Sequence, residues 1–223
     1  MAEGLKAAGL HRINISVDSL NRDIYRTITG FDLLGNVTKG IQKAIETGLN
    51  PVKINSVIVK GVNGSKEEII PLAKMSVDLP VVVRFVEYYP TSKYSTLDKG
   101  FVPNIEIRKI IEHEYGPIDD TSEIKGYGPA DYFKIKNSLG AIGFINGRSS
   151  MFCGKCNRLR LSSDGKLKPC LYSGKQYDIK ELLSNSTSEE NILSTLRNII
   201  REKRDYNKKT IPLEEFSMQS IGG

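Results

Sequence analysis

Residues 52–89 read VKINSVIVKGVNGSKEEIIPLAKMSVDLPVVVRFVEYY, and this stretch decides the fold. Val52–Val59 is a β-rich apolar run. Ser65 followed by Glu68 is a capping-box pattern that opens a helix over EEIIPLAKM, with Pro71 weakening its middle. Leu79–Tyr89 is a second, almost continuously apolar strand. Strands that are apolar at nearly every position are buried on both faces, and a helix between two of them makes a parallel crossover. The expected class is therefore α/β, built as an open sheet or a barrel.

The same alternation extends towards the N-terminus. Residues 2–9 (AEGLKAAG) read as the tail of an amphipathic helix closed by Gly9, and His11–Val17 as a short strand. Helices are expected over Ile24–Thr29 and Leu33–Thr47, the second ending at Gly48, which suits a left-handed cap. A helix stub followed at once by a buried-type strand reads as the middle of a domain. Asn104–Tyr115 is a further amphipathic helix. After about residue 117 the pattern changes to short β-like runs (DYFKIK, AIGFING, RLRLS, KLKPCLY) parted by Gly-bearing turns. Helical segments then follow over Asp178–Ser184 and Ser188–Tyr206. Two parts are expected, 1–116 and 117–223.

The 223 residues are 39% hydrophobic and 26% charged, which excludes a disordered or collagen-like chain. No apolar run approaches the ~18 residues of a membrane span, and the first residues lack the marks of a secretory signal. Cytoplasm is the expected location, with no membrane and no nucleic-acid partner. Lys+Arg 32 against Asp+Glu 26 leaves a net charge of +6, modest enough to suit an anionic small molecule.

The chemistry gathers in Phe152-Cys153-Gly154-Lys155-Cys156-Asn157-Arg158-Leu159-Arg160-Leu161, with Cys170 returning after Gly165. The spacing is C-x2-C-x13-C, and Asp164-Gly165 supplies a hairpin turn that returns the third thiol. Structural zinc sites usually take four protein ligands, and His11 and His113 are distant in sequence. A [4Fe–4S] cluster on three cysteines keeps one iron open to an exogenous ligand. Unligated core thiols are the third alternative. If Arg158–Leu161 is a strand, both arginines leave one face beside Cys156 and both leucines enter the core. Paired guanidinium forks suit a polyphosphate, whereas a solvated strand face is the plain alternative.

FCGKCNRLRL with DGKLKPCL, HRINISVDSL near the start and SMQSIGG at the end together resemble one family across the whole chain. This is the radical-SAM family of molybdenum cofactor biosynthesis protein A, the GTP 3′,8-cyclases. The resemblance implies an incomplete α/β barrel whose opening is covered by a C-terminal β-rich and helical segment. It implies a lyase that uses S-adenosylmethionine radical chemistry to cyclise GTP to 3′,8-cyclo-7,8-dihydro-GTP. A cyclic pyranopterin monophosphate synthase takes the next step, and a homodimer is compatible with the family.

Residue by residue, the resemblance makes Cys153, Cys156 and Cys170 ligands of a substrate-side [4Fe–4S] cluster. It makes Lys53, Arg84, Arg158, Leu159 and Arg160 GTP contacts, and Ser16 a contact of S-adenosylmethionine. Gly222 and Gly223 match a tail that threads into the active site, although a frayed terminus is the default for such a segment. A Lys in a buried strand is costly unless it meets an anion, which agrees for Lys53; a snorkelling edge lysine is the alternative. Tyr89 stands where many members have a Met beside S-adenosylmethionine, so that contact is not carried over.

One departure matters. The family's radical-initiating C-x3-C-x2-C, which holds a second [4Fe–4S] cluster, is missing from these residues, and the match begins about a third of the way into the family. The expectation is a truncated piece, a misassigned start or one half of a split enzyme, inactive alone and with an exposed apolar sheet edge. A non-catalytic GTP-binding iron–sulfur module is the alternative reading. A zinc-ribbon nucleic-acid binder ranks below it.

Overall fold

The computed structural model describes residues 1–88, 100–124, 128–149, 156, 158–170, 175–184 and 187–202. The chain divides into two compact units. Of the described residues, 1–88 and 100–149 belong to the first, and those from 156 onward to the second.

The first unit is a six-stranded sheet carrying helices between its parallel strands. Strands β1 (Ile13–Ser16), β2 (Val52–Ile58), β3 (Val81–Glu87) and β6 (Ala141–Ile145) run parallel; β4 (Asp119–Asp120) and β5 (Ala130–Lys134) join antiparallel, in the order β1-β2-β3-β6-β5-β4. Helices α2 (Arg22–Thr29) and α3 (Leu34–Glu46) connect β1 to β2, and α4 (Lys66–Asp78) connects β2 to β3. After β3 comes α5 (Asn104–Tyr115), and the short α1 (Ala2–Ala7) precedes β1. The strands after residue 116 are thus bonded into the same sheet as those before it.

Local chemistry sets the helix ends. The Asn21 side chain accepts from the backbone N–H groups of Asp23 and Ile24 to cap α2, and Gly30 closes that helix in the left-handed region at φ 76°. Gly48 follows α3 at φ 71°, as its sequence position suggests. The expected capping box does not form. Ser65 is the N-cap of α4 but makes no side-chain cap bond, and the carboxylate of Glu68 instead accepts from the buried hydroxyl of Ser19. A buried carboxylate needs a buried donor, and Ser19 offers one across the layer. The helix also runs through Pro71, because it buries Ile69, Leu72 and Ala73 on its inner face.

The register sorts side chains by row, since paired residues on neighbouring strands share a face and successive residues alternate. One row holds Ile15, Ile54, Val83, Ile142 and Phe133, and another holds Val17, Ser56, Phe85, Phe144 and Asp131. Apart from Ser56 and Asp131 these rows are apolar and belong to the core, joined by Ile41 and Ala44 of α3, Ile69 and Leu72 of α4, and Ile107 and Ile111 of α5. Ser56 meets its burial by donating to the carbonyl of Val17. The rows between carry Asn14, Lys53 and Val82, then Ser16, Asn55, Arg84, Gly143 and Tyr132. One face of the sheet is therefore oily and helix-covered, while the other carries the polar residues Asn14, Lys53, Asn55, Arg84 and Tyr132 beside apolar rows such as Val57, Val86 and Ile145.

The second unit contains a small antiparallel sheet of β7 (Arg160–Leu161), β8 (Lys166–Lys168) and β9 (Tyr177–Asp178), followed by α6 (Ile179–Ser184) and α7 (Glu189–Glu202).

Gly140 lies against the start of β3, where a Cβ would come within 2.0 Å of the Val81 carbonyl oxygen. Gly140→Ala should therefore destabilise the first unit by about 1–3 kcal/mol. Gly40→Ala, in α3 with open space around it, should stabilise by about 0.5–1 kcal/mol. Thermal melts of the two variants check both signs.

Candidate functional site

Lys53 and Arg84 both lie on the polar face of the sheet and are buried, at 7% and 8% exposure. The Lys53 ammonium donates to the Tyr132 hydroxyl at 3.2 Å and lies 5.3 Å from the centre of that ring. Lys53 is on β2 and Tyr132 on β5, so their side chains meet across the face above β3 and β6. Arg84 donates from Nη2 to the Asn14 side-chain oxygen at 2.9 Å. Between these groups, the Asn55 side-chain oxygen is buried without a hydrogen-bond partner. Gly143 leaves the necessary room: a Cβ there would lie 3.0 Å from the Arg84 stem and 3.0 Å from the Tyr132 ring. Ser16 stands in the Asn55–Arg84 row on the edge strand and is exposed.

The carboxyl ends of the parallel strands, where ligands of open α/β sheets bind, are tied by two carboxylates. Asp18, just past β1, accepts the Val57 N–H at 2.7 Å, and its carbonyl accepts from the Asn63 side chain at 2.6 Å. Burial pushes the Asp18 carboxyl above its usual value, against the lowering effect of the Val57 bond. Glu87, at the end of β3, is 2% exposed. It accepts the backbone N–H groups of Arg148 and Ser149, each at 2.8 Å, the Ser149 hydroxyl, and the first N–H of α5 from Asn104 at 3.1 Å. The N-terminus of a helix favours a carboxylate. Ser149 is four residues before Cys153, so this grip fixes the point from which the cysteine segment departs.

In the second unit, Arg160 pairs with Lys168 and Leu161 with Leu167. Gly165 turns the hairpin at φ 83°. Asp164 binds Lys166 at 2.9 Å and accepts from Ser162, and these contacts hold its carboxyl down to about 2. The pairing ends at Arg160 and Lys168, two residues short of Arg158 and Cys170. Cys156 and Cys170 are half-buried and unbridged. Cys153 lies outside the described residues, as do Gly222 and Gly223. Among the described residues no three metal-binding side chains form a group.

The leucines correct the strand-face expectation. Leu159 and Leu161 are 37% and 54% exposed, and Leu167 is buried instead. A three-stranded sheet with two- and three-residue strands has too small an inner face to cover both arms of its hairpin. Asn14, Asn55 and Tyr132 were not singled out from the sequence. Their signal was the period-two alternation within strands that looked continuously apolar.

A family model described as Molybdenum Cofactor Synthesis C matches residues 81–209, and the Radical SAM superfamily matches residues 1–73. A GTP 3′,8-cyclase of Thermodesulfovibrio yellowstonii is 39% identical over 223 residues, all of this chain and 68% of that relative. This chain belongs to the GTP 3′,8-cyclase family. The enzymes of that name from Pelotomaculum thermopropionicum and Desulforamulus reducens are 38% and 40% identical, over 92% and 91% of this chain. The chain spans 62% of the length of each of these two cyclases. The mixed α/β unit with its mainly parallel sheet fits the radical SAM match. Among the described residues no helix is long and apolar enough to cross a membrane.

A raised Asp18 pKa has a definite sign. The folded state holds the proton more tightly than the unfolded chain, whose value is near 3.8. The group's penalty on stability is thus full above the raised pKa and vanishes as the pH falls towards 3.8. Asp18→Asn keeps the acceptor for Val57 and removes the charge. Its stability relative to the unsubstituted chain should be greatest at neutral pH and should shrink on acidification, as read by urea unfolding at several pH values.

Proposed function

We propose that this chain carries the GTP-binding portion of a GTP 3′,8-cyclase of molybdenum cofactor biosynthesis, the enzyme that forms 3′,8-cyclo-7,8-dihydro-GTP. The observation that carries this reading is the pair of buried cations, Lys53 and Arg84, on one polar face of a parallel sheet. Burying the Lys53 ammonium is costly without an anion to meet it, and a nucleotide triphosphate is such an anion. Lys53 and Arg84 bind it from the sheet. Arg158 and Arg160 bind it through forked hydrogen bonds, with the Leu159 backbone between them.

Cys153, Cys156 and Cys170 would hold a [4Fe–4S] cluster, which supplies an iron open to the substrate. Ser16 would contact S-adenosylmethionine, and Gly222 and Gly223 would bring backbone close to the reacting centre. Residues 1–116 contribute part of an incomplete barrel in this reading, and 117–223 the cluster and nucleotide region. The product passes to a cyclic pyranopterin monophosphate synthase, the protein works in the cytoplasm, and it is compatible with a homodimer. A second reading, a GTP-binding iron–sulfur module without catalysis, is favoured by the cysteine count. The three cysteines of this sequence are all committed to the one cluster.

Anaerobic reconstitution should load about four irons per chain, whereas tight zinc with no cluster would overturn the assignment. Arg158→Ala and Arg160→Ala should each weaken GTP binding more than tenfold, which is about 1.4 kcal/mol. Mixed with reductant, GTP and S-adenosylmethionine, the chain by itself should release no 5′-deoxyadenosine. Release of that product would contradict the cysteine assignment.

A further inference from the structure

We infer that Tyr132 is a further anion-binding residue, and that its hydroxyl and the Lys53 ammonium together hold a phosphate oxygen of the nucleotide. The inference rests on the reading of Lys53 as a GTP contact and adds a residue to it. Lys53 donates to the Tyr132 oxygen, so that oxygen acts as acceptor and its own proton is directed elsewhere. Among the described residues this phenol proton has no acceptor, and the ammonium keeps two further N–H donors. An ammonium carries three donors and a phenol one. Among the described residues three unspent donors are therefore brought together at one partly buried spot of that face of the sheet.

The local structure is built to keep the ring there. Tyr132 is opposite Gly143 in the β5–β6 pairing, and its ring occupies the space a Cβ at Gly143 would need. The Arg84 stem borders the same gap, so the ring is packed between that stem and its own strand. Asp131 and Phe133, on either side of Tyr132 along β5, belong to the opposite face of the strand. A hydroxyl that accepts from a buried ammonium gains most as a donor to an anion, because a neutral acceptor would leave the Lys53 charge unanswered.

Calorimetric titration of the full chain with inorganic tripolyphosphate, GTP and guanosine tests this. Tyr132→Phe removes one oxygen and keeps the ring over Gly143. It should lower affinity for GTP and tripolyphosphate at least fivefold and leave guanosine unchanged. Lys53→Met should lower affinity for the two phosphates further. If Lys53→Met weakens binding and Tyr132→Phe does not, the inference fails and the Lys53 reading stands. If Lys53→Met binds both phosphates normally, that reading fails and the inference with it. A guanosine loss as large as the tripolyphosphate loss would make Tyr132 a base or packing residue, and this too overturns the inference.

Discussion

An ammonium held out of water, with one neutral hydroxyl as its hydrogen-bond partner, is the constraint around which the first unit is arranged. Lys53 occupies a central strand, where it costs stability unless something negative arrives. Everything near it follows from that placement. Its partner on β1 is Asn14, the next row holds Asn55 and Arg84, β6 gives up a side chain at Gly143, and Arg84 donates to Asn14. A sheet designed only for stability would put valine at position 53. Cost localised at a ligand face is what functional surfaces show when local rules are broken.

The opposite face shows how that cost is carried. Ile54, Val83, Phe85, Ile142 and Phe144 pack against three helices, and burial of each such side chain is worth roughly 1.5–3 kcal/mol relative to exposure. The two faces share the same strands, so the period of two makes them separable. Residues 53, 55 and 84 lie on one face, while residues 54, 83 and 85 answer to the core. A one-residue slip of register would exchange the two sets.

The strands and long helices were legible because each is a strong periodic signal bounded by glycine, as at Gly48 and Gly116. The buried lysine was legible too, since a charge inside VKINSVIV is an anomaly within a single window. What the sequence concealed were relations between distant residues. Nothing in EEIIPLAKM tells that Glu68 turns to Ser19, 49 positions away. Tyr132 looks like any strand tyrosine until the fold brings it to Lys53, 79 positions back. The leucines of RLRLS misled because alternation signals burial only where a layer exists to bury against, and the hairpin sheet is too small to provide one.

Glu87 grips the chain at Arg148 and Ser149 mainly through main-chain amides. Every amino acid but proline owns such an amide. Position 148 is therefore open to drift in size and charge without loosening the clasp, whereas a single imino acid there would remove one of its bonds. The route into the cysteine segment is written in the peptide backbone, so its geometry can outlast the side chains that happen to decorate it.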